Sequence, residues 1–181
     1  YMDFADALVR RAAGRFPVSH GTLVGPLDLA VSLRGHEQTV IDLMEEPDKA
    51  ARVLGNMADF FIAITRNVWK RLPLFHGGWY DAQYQLWAPG PIARMQEDAI
   101  AVLSPRLYRD YVRPVDERIA ASFECAFMHL HATSMFVLDQ ILAAGADPAS
   151  PFFGLVDGTR VAMTGHSFGG MTTFRVAAAD P

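Results

Sequence analysis

One cysteine in 181 residues, Cys125, excludes a disulfide framework and a cage of thiolate metal ligands, since each needs several sulfurs. Positive charge is also short. Sixteen Lys and Arg stand against twenty Asp and Glu, and the net charge is −4. No basic cluster offsets that balance, so a general attraction for nucleic acid or an anionic membrane is excluded. No apolar run approaches the ~20 residues of a membrane span, and the opening Tyr1-Met2-Asp3 begins no signal peptide. Repeats and low-complexity tracts are lacking too. What remains is 51% hydrophobic and 20% charged, the make-up of a globular chain with a real core. The expectation is a soluble, cytoplasmic protein whose partner, if any, is a small molecule.

Short apolar stretches alternate with amphipathic ones, the pattern of parallel βα units. Residues 18–24 read as a first strand, ended by Gly25-Pro26. A helix is expected over about 47–71, with Val53, Leu54, Met57, Phe60, Phe61, Ile64 and Val68 on one face. Pro47 suits its first turn, where a missing N–H leaves nothing unpaired. Residues 72–96 are aromatic and irregular. Ser104-Pro105 then reads as an N-cap followed by a first-turn proline, with Leu107, Tyr108, Tyr111, Val112, Val115 and Ile119 on the buried face. Pro114 should kink or restart that helix. Residues 126–131 read as a strand, 134–144 as a helix and 145–154 as a loop. Residues 161–164 read as a last strand, parallel to 126–131, with a final helix from near Gly169.

The sharpest motif is Gly165-His166-Ser167-Phe168-Gly169. A serine on a very tight strand-to-helix turn is strained, and glycines two before and two after it let the backbones pass without a Cβ clash. Such an elbow lifts the Ser167 hydroxyl above the sheet. The Phe168 N–H then points where an oxyanion would form, beside the positive end of the new helix. The alternative is a glycine-rich βα turn holding an inert serine. Ser167 as nucleophile and Phe168 as oxyanion donor are the catalytic candidates.

Asp147-Pro148-Ala149-Ser150-Pro151, residues 155–161 and the elbow together resemble the dienelactone-hydrolase and esterase branch of the α/β-hydrolases, over roughly the last forty residues. The resemblance implies an acyl-enzyme at Ser167 formed on esters or similar acyl compounds. In that fold the triad acid and histidine follow the serine. The fourteen positions after Ser167 contain Asp180 and no histidine. A hydroxyl without a base is a poor nucleophile at neutral pH.

Residues 1 to about 143 carry a different signature. Gly25-Pro26-Leu27-Asp28-Leu29-Ala30, Leu33-Arg34-Gly35, Asp42-Leu43, Glu46-Pro47, Gln96-Glu97-Asp98, Leu103-Ser104-Pro105-Arg106-Leu107-Tyr108 and His129-Leu130-His131 resemble the central part of the uroporphyrinogen decarboxylase superfamily. The resemblance implies a (β/α)₈ barrel and a lineage of tetrapyrrole-carboxylate decarboxylases and zinc-dependent methyltransferases. The tyrosine expected after the Gly-Pro pair falls at Ser32. The methyltransferases' His-x-Cys falls at His129-Leu130-His131, with no later cysteine. Two imidazoles at i and i+2 of a strand share a face and can share a zinc ion. The other reading is hydrogen bonding at a barrel mouth, and the expectation is no metal and no cofactor. Barrel active sites lie at strand C-termini. Trp79, Trp87, Gln96, His129 and His131 are therefore the substrate-binding candidates, although aromatic core also explains the tryptophans. Glu97 and Asp98 point opposite ways on a strand and read as solvated or helix-capping. Arg34 reads as half of a surface ion pair.

The two signatures meet between about Phe136 and Asp147. The expected organisation is a partial barrel or open sheet over 1–143, joined to a strand–elbow–helix segment over 144–181. The class is α/β with parallel βα units. A closed eight-stranded barrel needs roughly 200 residues or more. The functional expectation is a chimeric or truncated chain, inactive as it stands, with serine ester hydrolysis as the alternative.

Overall fold

The computed structural model describes residues 2–150 and 153–154. By packing the chain divides after His129, and the two parts are described separately. The first part is a mixture of helix and strand. Helix α1 spans Met2–Ala12, α2 Pro26–Arg34, α3 His36–Glu45 and α4 Pro47–Trp69. A hairpin follows, with β1 at Trp79–Asp81 antiparallel to β2 at Leu86–Ala88. Then come β3 (Ile92–Gln96), a 3-10 turn (Asp98–Val102), the short α5 (Pro105–Leu107), a π-helical turn (Tyr108–Val112), α6 (Arg113–Ala121) and β4 (Cys125–His129).

β3 and β4 pair in parallel and in register, from Ile92 opposite Cys125 to Gln96 opposite His129. A parallel pair needs a crossover, and here the helical stretch from Asp98 to Ala121 supplies it. The α/β class and the parallel βα unit are therefore present. The described residues show two two-stranded sheets.

Helix α4 forms where the period-3.6 pattern places it, but its buried stripe runs through Leu54, Ala58, Phe61, Ile62, Thr65, Val68 and Trp69. Val53 and Phe60 of the expected face are exposed. The helix is turned so that small Ala58 lies against its neighbours, and the bulkier pair is left on the shoulder. Ala12, Val18, Val68, Trp69, Leu72, Ala88 and Ile92 form one core cluster. Within it the Trp69 indole N–H donates to the Ile92 carbonyl at 2.7 Å, which fixes α4 against the start of β3.

Two local readings hold in detail. Ser104 Oγ accepts from the Leu107 N–H at 3.2 Å, with Pro105 at the first helical position. Pro114 does restart its helix, because it has no N–H for the carbonyl four residues back. The turn ahead of α6 widens to π spacing. One reading fails: residues 18–24 form no strand and join no ladder. Their polar groups bond singly instead. Ser19 Oγ accepts from the Ala82 N–H at 3.0 Å, Thr22 Oγ1 donates to Gln83 at 3.1 Å, and the Gly25 backbone N–H reaches β3, on the Gln96 carbonyl at 2.8 Å.

In the second part a 3-10 turn (Ala132–Val137) leads into α7, Leu138–Ala146. The expected last strand and elbow, residues 160–170, lie outside the described residues.

The rotation of α4 has a direct consequence. Phe61→Ala is expected to lower stability by about 3–5 kcal/mol through cavity formation. Phe60→Ala should cost under about 1 kcal/mol. Urea unfolding of the two variants checks the difference, and equal losses would contradict the stripe described above.

Candidate functional site

Alternate residues of a strand share a face, so β3 has two characters. Ile92, Arg94 and Gln96 lie on one face, and the register sets Cys125, Phe127 and His129 of β4 beside them. Ala93 and Met95 lie on the other, continued by Glu97.

On the first face Arg94 is almost wholly buried. Its Nη1 donates to Asp81 Oδ2 at 2.9 Å, and both side chains are 5% exposed or less. Asp81 Oδ1 accepts from the Tyr84 N–H at 3.0 Å, which ties the β1–β2 turn to the same carboxylate. Tyr84 then covers the guanidinium, with Arg94 Cζ 5.9 Å from its ring centroid. The Tyr84 ring meets Phe127 edge-on at 4.7 Å and His129 at 5.5 Å. Gln96 donates through Nε2 to Asp98 at 3.2 Å. An Asp98 carboxylate oxygen and a His129 ring nitrogen lie within 4.8 Å. His20, buried against Trp69 with ring centroids 5.6 Å apart, has its pKa lowered chiefly by burial. An arginine, a carboxamide, an imidazole and an aromatic wall thus converge near the C-terminal ends of two parallel strands.

The second face does structural work. The fully buried Glu97 carboxylate accepts from the Leu27 N–H at 3.2 Å and the Asp28 N–H at 3.1 Å. These are orphan donors at the start of α2. Asp28 returns the bond, accepting from the Asp98 N–H at 3.0 Å and the Ala99 N–H at 2.7 Å at the start of the 3-10 turn. Glu97 therefore caps the helix in which Asp28 lies, and Asp28 caps the 3-10 turn that follows Glu97. Gly25 leaves room for this cap, because a Cβ there would crowd the Glu97 carboxyl. Burial raises the Glu97 pKa, and the charges of Asp116 and Asp28 raise it further. Burial likewise raises that of Asp28.

Asp116 is buried on α6 and accepts from the Tyr108 hydroxyl at 3.1 Å. Burial pushes its pKa to about 8, against the lowering effect of that hydrogen bond. Burial, foremost, raises the Tyr108 pKa as well. Glu97 has two backbone donors and a helix N-terminus to stabilise charge. Asp116 lies in the first turn of α6, and burial favours the protonated form of its carboxyl as it does that of Glu97.

Of the sequence candidates, Gln96 and His129 are brought side by side. Trp79 is not with them. It lines a cavity of about 230 Å³ with Trp69, Pro91, Phe123 and Glu124, at the opposite ends of β3 and β4. Trp87 is exposed, and its indole N–H donates to the Phe75 carbonyl at 2.9 Å, closing the approach to the hairpin. His131 is exposed in the second part, where its carbonyl accepts from the Ser134 N–H at 2.8 Å. Ser167 and Phe168 lie outside the described residues. Arg34 forms the expected surface pair, with Asp42 at 2.9 Å, beside a cavity of about 310 Å³ among α2, α3 and α4.

Sequence reasoning missed Arg94, Asp81 and Tyr84. The available signal was an arginine inside the otherwise apolar stretch Ile92-Ala93-Arg94-Met95, where a charge must find a buried partner. Scans against models of protein families, against curated proteins and against solved structures found no match for this chain.

The raised pKa of Asp116 has a definite pH signature. The folded form holds a proton that the unfolded chain releases near pH 4. Stability is therefore fully present below about pH 4 and is lost as pH rises toward about 8. Asp116→Asn has no proton to lose. It should flatten this decline and exceed the parent in stability at pH 9 by at least about 1 kcal/mol. Parallel pH curves for the two proteins in urea unfolding would contradict the assignment.

Proposed function

We propose that residues 1–143 are a uroporphyrinogen-decarboxylase-like part of a barrel, with a small-molecule site at the C-terminal ends of β3 and β4. In the same reading they are joined to a serine-hydrolase elbow, and the 181-residue polypeptide turns over substrates of neither lineage. The observation that carries the first half is the in-register parallel pair, which sets Gln96 beside His129 at the end where barrel enzymes bind their ligands. The motif Gly165-His166-Ser167-Phe168-Gly169 supports the second half.

Neither catalytic set is whole within this polypeptide. No histidine follows Ser167, and Ser32 and His131 stand where the barrel lineage has a tyrosine and a zinc-binding cysteine. The reading needs no metal, and gives His129 and His131 hydrogen-bonding roles. The net charge of −4 weighs against nucleic acid as a partner. Among the described residues no helix is long and apolar enough to cross a membrane.

Serine ester hydrolysis is the competing reading, and one reagent separates the two. A fluorophosphonate probe reacts with an activated serine, and a working triad contributes many orders of magnitude over water. This polypeptide should stay unlabelled, and Ser167→Ala should not change its rate on a small activated ester. Rapid stoichiometric labelling at Ser167 would favour the hydrolase and mean that His129, His131 or His166 serves as its base.

A further inference from the structure

Arg94 is 6% exposed, and only one of its three nitrogens is satisfied. Nη1 bonds Asp81, while Nε and Nη2 are buried with no hydrogen-bond partner among the described residues. Those two atoms form the side-on edge of the guanidinium, with two parallel N–H groups at the spacing of two carboxylate oxygens. A lysine could make the Asp81 contact alone, and the edge is what only arginine adds. Leaving a buried donor unpaired costs about 1–3 kcal/mol, and more for a charged group. Such a deficit calls for a partner that is not part of the fold. Two positions on, along the same face, Gln96 Oε1 is also buried and has no hydrogen-bond partner among the described residues. It can only accept. Alternate residues of a strand stand roughly 6.6 Å apart, about the distance across one substituted benzene ring.

We propose that the Nε/Nη2 edge of Arg94, together with the Gln96 carboxamide, recognises a small flat carboxylic acid that carries a hydrogen-bond donor at its far end. The carboxylate takes the guanidinium edge, and the donor takes Gln96 Oε1. Phe127 and the Tyr84 ring supply the apolar wall for the flat body. Tyr84 covers the guanidinium from the β1–β2 turn, so the acid enters by displacing that turn. Asp81 is a positioning residue: it holds the guanidinium through Nη1 and the turn through the Tyr84 N–H. This assignment rests on the reading of the strand ends as a ligand site and names the chemistry of its ligand.

The test uses the full chain and 4-hydroxybenzoate as probe, with 4-hydroxybenzamide and benzoate as controls, followed by ¹⁵N NMR and calorimetry. The acid should bind at least about tenfold more tightly than the neutral amide, and more tightly than benzoate. Shifts should fall on residues 81–84, 94–96 and 127–129, and the Arg94 Nε–H should move on titration. Arg94→Lys keeps a cation for Asp81 and loses the fork, so it should abolish the preference for acid over amide. Equal binding of acid and amide to the parent chain overturns the proposal and needs no variant. So does the absence of acid binding up to about 10 mM, or an Arg94→Lys protein that binds the acid undiminished. Equal binding of benzoate overturns the Gln96 half. Strand-end shifts with the neutral amide alone would refute the acid while leaving a ligand site there. No shift at residues 92–96 or 125–129 with any probe would remove both.

Discussion

A carboxylate at the end of β3 must go somewhere, and in this fold it goes to the start of α2. Glu97 is seventy residues from its backbone donors, yet it supplies the acceptor that the first turn of α2 lacks. Asp28, in that same first turn, supplies the acceptor for the 3-10 turn that leads away from β3. The two caps are reciprocal in the way a capping box is reciprocal, but they join the start of α2 to the turn that follows β3. The Gly25 N–H on the Gln96 carbonyl adds a backbone bond at the same point. The end of β3 is therefore held from one side by α2 and from the other by β4. Everything on its opposite face inherits that placement.

The division of labour between the two faces follows. Odd-numbered Met95 and Glu97 face the packing that fixes the strand. Even-numbered Arg94 and Gln96 are left to face Phe127, His129 and the Tyr84 turn. Burying Arg94 against Asp81 is no strong source of stability, because desolvation consumes most of the attraction. What the pair provides is orientation: one carboxylate fixes the guanidinium plane and the hairpin turn together. Acid is handled differently on the packing side. There burial favours the protonated forms of both Asp116 and Glu97, and the Tyr108 hydroxyl donates to Asp116.

Local chemistry was legible in the sequence and long-range pairing was not. The 3.6-residue period located α4, and Ser104-Pro105 located the next helix start. Proline at 114 marked the break before α6, whereas β3 lies in the stretch 72–96 that read as irregular. The phase of α4 was misjudged because Phe60 and Phe61 are chemically alike, and only tertiary packing decides which is buried. Residues 18–24 have the composition of a strand, but hydrogen bonds to Ala82 and Gln83 replaced a ladder. Glu97-Asp98 read as a solvated or capping pair, and capping is what Glu97 does. Its target lies seventy residues away, where no spacing rule reaches. Trp79 and Trp87 were grouped with Gln96 by their place at expected strand ends, whereas the hairpin carries them to other surfaces. Arg94 was overlooked because a single charge in a five-residue strand resembles an interruption more than a site.

The dependence on the reciprocal caps is open to a double-mutant cycle. Asp28→Asn, Glu97→Gln and the double variant retain the shapes of the side chains and change the acceptors. Their unfolding free energies give the coupling between the two caps directly. Because each carboxylate orders the backbone that presents donors to the other, the account predicts a coupling above about 1 kcal/mol, with the loss of either cap loosening the amides of residues 25–28 and 97–99 together in hydrogen exchange. Additive losses within about 0.3 kcal/mol, with exchange changing at one helix start only, would contradict it.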